Sequence, residues 1–166
     1  MGGEGADDRA SIGRRRENRA AAMQCLYAYD ISPLVPWEKH WTGQLEALEL
    51  PEESLSYGRR LVAGTVANLF EINELLAKFL ANWSLYRVEK VNLAILRIAT
   101  YELLFEKDIP HPVVINEAVE LAKLYGGPDS KRIVNGVLDR IRRHLEEQKN
   151  WPNLHPSNRR TPQRHG

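Results

Sequence analysis

Several features that support catalysis, secretion or membrane insertion are scarce or missing in this chain of 166 residues. Its one cysteine, Cys25, excludes an internal disulfide and offers no metal-ligand pattern. No apolar run approaches the roughly 18 residues that span a bilayer, and no apolar segment of a secretory signal follows the basic N-terminus. We therefore expect a cytoplasmic protein without a membrane segment, in which Cys25, within AAMQCLYAY, is a buried thiol.

The motifs of the common enzyme classes are also missing. None of the five histidines stands at ligand spacing from another histidine, a cysteine or a carboxylate pair. The sequence contains no Walker-type phosphate loop, no dinucleotide fingerprint after a strand and no nucleophile elbow. Glu117 and Glu120 could pair two carboxylates on one helix, but a solvated helix face explains them better. The sequence therefore predicts a protein that is not an enzyme and holds no cofactor or metal.

What the sequence does contain is helical periodicity along almost its whole length, with almost no strand alternation. This pattern predicts an all-α fold, a bundle or a pair of bundles with short connections. We expect a flexible tail at 1–11, a helical domain at 12–149 and a disordered, proline-rich tail at 150–166. Six or seven helices are predicted, at about 14–30, 37–48, 53–83, 88–105, 113–124 and 130–148. The range 53–83 holds either one long helix or two nearly continuous ones.

The net charge is only +1, but the positive charge is unevenly distributed. Five arginines fall within eleven residues, before and at the start of the first predicted helix: Arg9, Arg14, Arg15, Arg16 and Arg19. Further along that helix, Gln24 could form hydrogen bonds with a base, and a base could stack on the ring of Tyr27. The cluster is either a site for a polyanion such as single-stranded RNA or a solvated tail that aids solubility.

The stretch GGPDSKRIVNGVLD, residues 126–139, joins a turn to the last predicted helix. Asp129 or Ser130 is suited to the N-cap, where a short polar side chain satisfies free amides. Lys131 and Arg132 then fall on the first helical turn, where the helix dipole is already positive. Together with the amides they form either an anion site or a solvated turn with incidental charges.

These segments resemble the NusB family of transcription antitermination factors. The resemblance rests on RRRENRAAAMQCLYAYDIS near the start and, in order, on ILRIATYELL, VINEAVELAK and VNGVLD; it covers about residues 12–145. It implies two packed three-helix bundles, with a seventh short helix as an option. It also implies binding of the single-stranded boxA element of ribosomal RNA leader transcripts together with NusE, a small-subunit ribosomal protein. Such a complex helps RNA polymerase resist termination, and some relatives form homodimers.

The resemblance also assigns roles to individual residues. The RNA-facing arginines correspond to Arg14, Arg15, Arg16 and Arg19, and a second RNA-facing segment corresponds to Asp129, Ser130, Lys131 and Arg132. The NusE contact is expected along the helix VNLAILRIATYELL and its neighbours, with Asn92, Tyr101 and Glu102 as its residues. Packing in the core is the alternative for Tyr101 and the expectation for Trp83.

This chain departs from the family pattern at two positions. Asn92 replaces an acidic residue that relatives often carry on the NusE side, so a charge pair is lost there. Ile133 replaces an aromatic residue of some relatives, and we expect it in the core or in an apolar contact.

Two other functions compete with the antitermination role. A NusB-like module also occurs fused to rRNA cytosine methyltransferases, but we expect such a chain to continue into a cofactor-binding α/β domain, whereas this sequence ends at Gly166. The other alternative is a helical protein-interaction module without RNA function. Binding of a short boxA-like RNA discriminates between these possibilities.

Overall fold

All the regular structure in the described part of the chain is helical. The computed structural model describes residues 4–80 and 85–154, with side chains for 14–80, 85 and 87–149. Trp83 and residues 155–166 of the predicted tail lie outside the described residues. The predicted all-α class is confirmed by seven α-helices, namely α1 (Glu4–Ile31), α2 (Trp37–Leu48), α3 (Ser56–Ala67), α4 (Leu69–Phe79), α5 (Lys90–Phe105), α6 (His111–Tyr125) and α7 (Ser130–Leu154).

The two terminal helices are longer than predicted. The first helix begins at Glu4 rather than near Arg14, and the last continues to Leu154 rather than ending near Gln148. Both helices therefore extend into the segments predicted as tails, 1–11 and 150–166. The prediction followed the apolar periodicity, which stops at the edge of the core, whereas a helix can continue past the residues that it buries.

The breaks between helices include one that the prolines predicted and one that the sequence left open. Pro33 and Pro36 lie between α1 and α2, because proline cannot continue a helix. Asn68 divides the predicted helix at 53–83 into α3 and α4, with φ −114° and ψ 22°. Its Nδ2 donates to Gly64 O at 2.8 Å, and its carbonyl accepts the amide of Ile72 at 3.0 Å. Asn68 thus ends one helix and begins the next.

Helix α5 is the centre of the fold. It is apolar on nearly all sides and contacts α1, α3, α4, α6 and α7. A helix that is apolar all round belongs in the interior. The helices α1, α2 and α3 pack together on one side of α5, while α6 and α7 pack against α5 on the other, with α4 against α5 and α7. This arrangement agrees with the two packed three-helix bundles that the family resemblance implies.

One close approach holds α3 against α5. A Cβ atom at Gly64 on α3 would collide with the ring of Tyr101 on α5, so only glycine allows this spacing. None of the helices within residues 4–80 and 85–154 combines the length and apolarity needed to cross a bilayer.

Candidate nucleic-acid interface

Three consecutive arginines are exposed on α1: Arg14, Arg15 and Arg16. Arg16 reaches α6, where its Nε donates to Glu117 Oε2 at 2.9 Å and its Nη2 donates to Glu117 Oε1 at 3.2 Å. The hydrogen bond to Glu117 raises the pKa of the Arg16 guanidinium. Because 53% of the Arg16 side chain stays exposed, the pair orients this arginine without covering it.

Arg15 is held by an aromatic ring instead of a carboxylate. Its guanidinium carbon lies 4.6 Å from the centroid of the Tyr57 ring on α3, a cation–π arrangement. It forms no ion pair with any side chain that the structure describes. Stacking uses the face of the guanidinium and leaves its N–H donors for a phosphate. Arg15 is therefore the better prepared of the two arginines for an anionic ligand.

Arg19 is buried, which corrects its predicted place on the RNA-facing surface. Its side chain is 4% exposed, and its Nε donates to Glu102 Oε1 at 2.9 Å on α5. The Tyr57 hydroxyl donates to the same carboxylate. Burial raises the pKa of Glu102, although the charge of Arg19 opposes that effect. Arg19 is one turn beyond Arg15, where α3 and α5 close over α1, so it binds an internal carboxylate rather than a ligand.

The predicted base-contacting residues of α1 are exposed, but one of them already has a partner. The Gln24 Oε1 accepts a hydrogen bond of 2.9 Å from Gln44 Nε2 on α2. Tyr27 is 36% exposed. Tyr27 lies eleven residues beyond Arg16, which on a helix is about 16 Å along the axis and close to the same face. Their contact with a base stays a prediction.

The second predicted segment is a tight turn followed by the start of α7. The Asp129 carbonyl accepts the amide of Ile133 at 3.1 Å, so Asp129 occupies the N-cap position through its backbone. Lys131 and Arg132 are exposed, and an ion pair of 3.6 Å joins Arg132 to the Asp129 carboxylate. Ser130 is 1% exposed, and its hydroxyl forms no hydrogen bond with the described residues.

The two basic segments converge on α6. Glu120 of α6 has a lowered pKa, because Lys123 donates a hydrogen bond to it and because the charges of Arg16 and Lys131 also act on it. Arg16 pairs with Glu117 of α6, and Lys131 of α7 lines the same depression as Asn116 and Val119 of α6, so both basic segments border this helix. We call the exposed cations at this junction the basic surface; its members are Arg14, Arg15, Arg16, Lys123, Lys131 and Arg132.

A cleft of about 650 Å³ opens beside this basic surface, between the end of α4, the start of α5 and the N-terminal half of α7. Its apolar wall includes Leu80, Val88, Ile133 and Val137, and its basic residues are Arg87, Arg132 and Arg140. Glu89 is the acidic residue at the start of α5, and Asp129 is the one before α7. The volume lies within the range of about 300–1,000 Å³ that is typical of ligand sites.

Two buried polar groups in this cleft have no hydrogen-bond partner among the described residues. They are the Asn92 Oδ1, on a residue that is 3% exposed, and the Ser130 hydroxyl. Buried polar groups in native proteins are nearly always hydrogen-bonded, to protein, water or ligand. Both atoms are fully buried and lie beneath the lining of the cleft, so what its surface offers a ligand is the apolar wall and the guanidinium groups of Arg87, Arg132 and Arg140.

The residues predicted to contact NusE are not on an outer face. Asn92 lines the cleft, and Glu102 is 2% exposed against Arg19. Tyr101 is 8% exposed and its hydroxyl donates to Glu106 Oε1 at 3.2 Å. The physical reason for this correction is that α5 lies in the middle of the bundle, where even its polar residues are enclosed. The core alternative for Tyr101 is the one that the structure supports.

Sequence reasoning missed two of the three arginines of the cleft, Arg87 and Arg140. Arg132, Gly136 and Arg140 are spaced by four residues and therefore share one face of α7, with a small residue between two cations. That spacing could have predicted Arg140. Nothing in the sequence near Arg87 indicates that the connection before α5 would meet α7. In the described part of the chain, no group of three His, Cys, Asp or Glu side chains is placed to hold a metal ion.

Comparison with known proteins identifies the family of this chain. A sequence model of the NusB family matches residues 16–143. The transcription antitermination protein NusB of Treponema pallidum is 44% identical over 131 residues, covering 78% of this chain and 92% of that protein. NusB of Bacillus licheniformis is 41% identical over 133 residues, covering 80% of this chain and 99% of that protein.

Solved structures show the same likeness. The structure of T. maritima NusB matches with a TM-score of 0.73 at 38% identity, over 81% of this chain and 96% of that one. A chain from a crystal structure of antitermination factors NusB and NusE in complex with dsRNA matches with a TM-score of 0.73 at 25% identity, over 80% of this chain and 98% of that one. The family match, the relatives and the fold lead to one conclusion: this chain belongs to the NusB family.

Proposed function

We propose that this protein is a cytoplasmic, non-catalytic RNA-binding factor for transcription antitermination. In this role it binds the boxA element of ribosomal RNA leader transcripts together with NusE and helps RNA polymerase to resist termination. The observation that carries the proposal is the cleft beside the basic surface, which combines an apolar wall with the cations Arg87, Arg132 and Arg140. The related proteins that are named as antitermination factors support the same role.

RNA binding divides between the two parts of this interface. The exposed cations Arg14, Arg15, Lys131 and Arg132 hold phosphates, which position the strand without reading it. The cleft accepts a base whose face lies on the apolar wall. Because bases of a duplex are stacked and paired, such a pocket suits single-stranded RNA.

NusE binding is proposed at the outer corner where α5 ends and α6 begins. Phe105 is 41% exposed there, and Val113 is 44% exposed. A related NusB chain was solved with NusE and dsRNA, which supports a shared assembly. Two surfaces that each bind weakly combine into a tight complex when both partners hold the same RNA.

The test is binding of a short boxA-like RNA, measured by fluorescence anisotropy at several salt concentrations, with and without NusE. If four cations each neutralise one phosphate of a single strand, log K falls with log salt with a slope of about −2.8. NusE is expected to tighten binding. The antitermination role is contradicted if no RNA binds at low salt in either condition.

The first prediction concerns the start of α7. The double variant Lys131→Ala/Arg132→Ala is expected to weaken RNA binding and to reduce the salt slope by about 1.4, because two phosphate contacts are lost. Its stability is expected to change by less than about 0.5 kcal/mol, since both side chains are exposed. The matched control is Lys39→Ala/Lys149→Ala, which removes two exposed cations elsewhere. Equal RNA affinity of the two variants would show that Lys131 and Arg132 do not bind RNA and that the turn has only a structural role.

A further inference from the structure

A second groove, which adjoins the cleft, runs between α6 and α7. Its volume is about 730 Å³. The apolar side chains in it are Ile115 and Val119 of α6, each 8% exposed. The exposed amides of Asn116 and Asn135 line it from the two helices, and neither forms a hydrogen bond with the described residues. The groove thus combines an apolar base with unpartnered hydrogen-bonding groups.

The charge of this groove favours an anionic occupant. Lys131, Arg132 and Arg142 line it, and Asp139 is its only carboxylate among the described residues. Asp139 already accepts hydrogen bonds from Arg142 at 2.7 Å and pairs with Arg143 at 2.8 Å. These contacts satisfy Asp139, and Arg132 pairs with Asp129 at 3.6 Å, so Lys131 is the cation of this lining that has no carboxylate partner among the described residues. The charge of the groove is therefore complementary to a polyanion and not to a positively charged partner.

The groove continues from the cleft. Pro128 and Arg132 line both of them, so these two residues stand on the boundary between the two depressions. A nucleic acid strand that leaves the cleft meets the guanidinium of Arg132 and then enters the groove.

We propose that the α6–α7 groove is a second subsite for single-stranded RNA, which holds nucleotides adjoining the one in the cleft. Lys131 and Arg132 contact the phosphates, while Asn116 and Asn135 bond to the edges of a base that lies on Val119. An amide side chain offers both donors and an acceptor, so it can read a base edge. This proposal rests on the proposed function, because it extends the same RNA strand.

The first experiment varies the RNA. Anisotropy is measured with a short boxA-like RNA and with the same RNA extended by a few nucleotides at either end, within the roughly 4–16 nucleotides of known single-strand sites. We expect one extension to tighten binding, and an abasic version of that extension to tighten it less. If neither extension tightens binding, or if abasic and complete extensions act equally, the groove does not read bases and the proposal is overturned.

The second experiment varies the protein. Asn116→Ala/Asn135→Ala is expected to weaken binding of the extended RNA by about two- to tenfold per lost hydrogen bond, without changing the salt slope. Binding of the short RNA is expected to stay the same, and Gln148→Ala, an exposed amide on the same helix, is the control. An unchanged affinity for the extended RNA overturns the proposal. So does a variant that binds NusE more weakly but both RNAs normally, since the groove would then contact the protein partner.

The two proposals fail in different ways. If the short RNA does not bind to the unaltered protein, the proposed function itself is contradicted. If the short RNA binds and the extension makes no difference, the proposed function stands and only the second subsite is lost.

Discussion

At the scale of single residues, burial separates two arginines that the sequence groups together. Arg15 and Arg19 lie one turn apart on α1, and both guanidinium carbons lie over the Tyr57 ring, at 4.6 and 5.7 Å from its centroid. Arg15 is exposed, while Arg19 is enclosed with Glu102. We therefore expect Arg15 to act in binding and Arg19 to act in stability.

This difference gives a prediction with two readouts. Arg19→Ala removes the cation that offsets the burial of Glu102, which is expected to lower the free energy of unfolding by about 3–5 kcal/mol. Arg15→Ala is expected to lower it by less than about 1 kcal/mol, and to reduce the RNA salt slope by about 0.7. Urea unfolding and anisotropy measure the two effects. A stable Arg19→Ala variant with weakened RNA binding would contradict the assignment.

Arg16 gives a second residue-scale prediction, because Glu117 competes with RNA for its guanidinium. Glu117→Gln removes the carboxylate and is expected to tighten RNA binding and to steepen the salt slope by about 0.7, as one more cation becomes available. The cost in stability is expected to be about 1 kcal/mol or less, since Arg16 is half exposed. Glu147→Gln, which removes a distant exposed acid of α7, controls for net charge. Identical salt slopes of RNA binding for the two variants would show that Glu117 does not compete with RNA for Arg16.

The residue types of the site could be predicted from the sequence better than their environment. Arg14, Arg15, Lys131 and Arg132 are exposed, as a charged residue usually is. Arg19 and Glu102 are exceptions, because each is enclosed only when α1 and α5 meet. No local pattern contains that information, since the two residues are 83 positions apart in the sequence.

At the scale of helices, a charged cluster ties the end of α1 to α5 and α4. Asp30 accepts hydrogen bonds from Lys90 at 2.9 Å and Arg97 at 3.2 Å, and Arg97 also donates to Asn73 on α4. Burial opposes the ionisation of Asp30, but the two cations outweigh it and hold its pKa below its usual value. The cluster therefore stabilises the fold only while Asp30 is ionised.

The expected consequence is that the free energy of unfolding contributed by this cluster depends on pH. A lowered folded-state pKa means that the stabilisation is complete above the ordinary pKa of 3.8 and is lost as the pH falls through the folded value. Asp30→Asn is expected to be less stable by about 1–2 kcal/mol near neutral pH. The difference from the unaltered protein should disappear in stronger acid. Urea unfolding at several pH values measures it, with Glu46→Gln as an exposed control. A difference that is constant with pH would exclude this role.

Helix positions were more predictable than helix ends. The apolar periodicity located every helix, and the prolines located the connection after α1. The ends of α1 and α7 were wrong because periodicity records burial, whereas both helices continue past the core to Glu4 and Leu154. The division at Asn68 was left open in the sequence, and the side chain bond to Gly64 explains it.

At the scale of the molecule, one continuous core joins the two helical groups. Cys25 of α1 lies in this core, 1% exposed, with its Sγ 3.7 Å from the Trp37 carbonyl oxygen. Burial raises the pKa of its thiol to about 12. The thiolate is the reactive form of cysteine, so Cys25 is unreactive in the folded protein. It therefore reports on opening of the core.

We expect iodoacetamide to leave Cys25 unmodified near neutral pH and to label it only when urea unfolds the chain. If the core is a single cooperative unit, the urea midpoint of labelling and the midpoint of helix loss by circular dichroism should coincide. Labelling at low urea, before helix loss, would show that α1 opens independently of the rest.

The cleft could not be predicted, because it exists only in the assembled molecule. Its walls come from α4, α5 and α7, and the segments that build it are far apart in the sequence. The basic segments alone predicted a charged face. The adjoining depression, with Asn92 and Ser130 inside it, depends on how the second helical group packs.

That composite origin of the cleft links RNA binding to folding. An unfolded chain cannot assemble walls from three separate helices, so RNA that occupies the cleft binds the folded state selectively. Binding energy is then added to folding energy: at a free RNA concentration of one hundred times Kd, the folded state gains about 2.7 kcal/mol. The transcript would thereby act as a folding ligand, and the protein would be most resistant to unfolding while it is bound to its target.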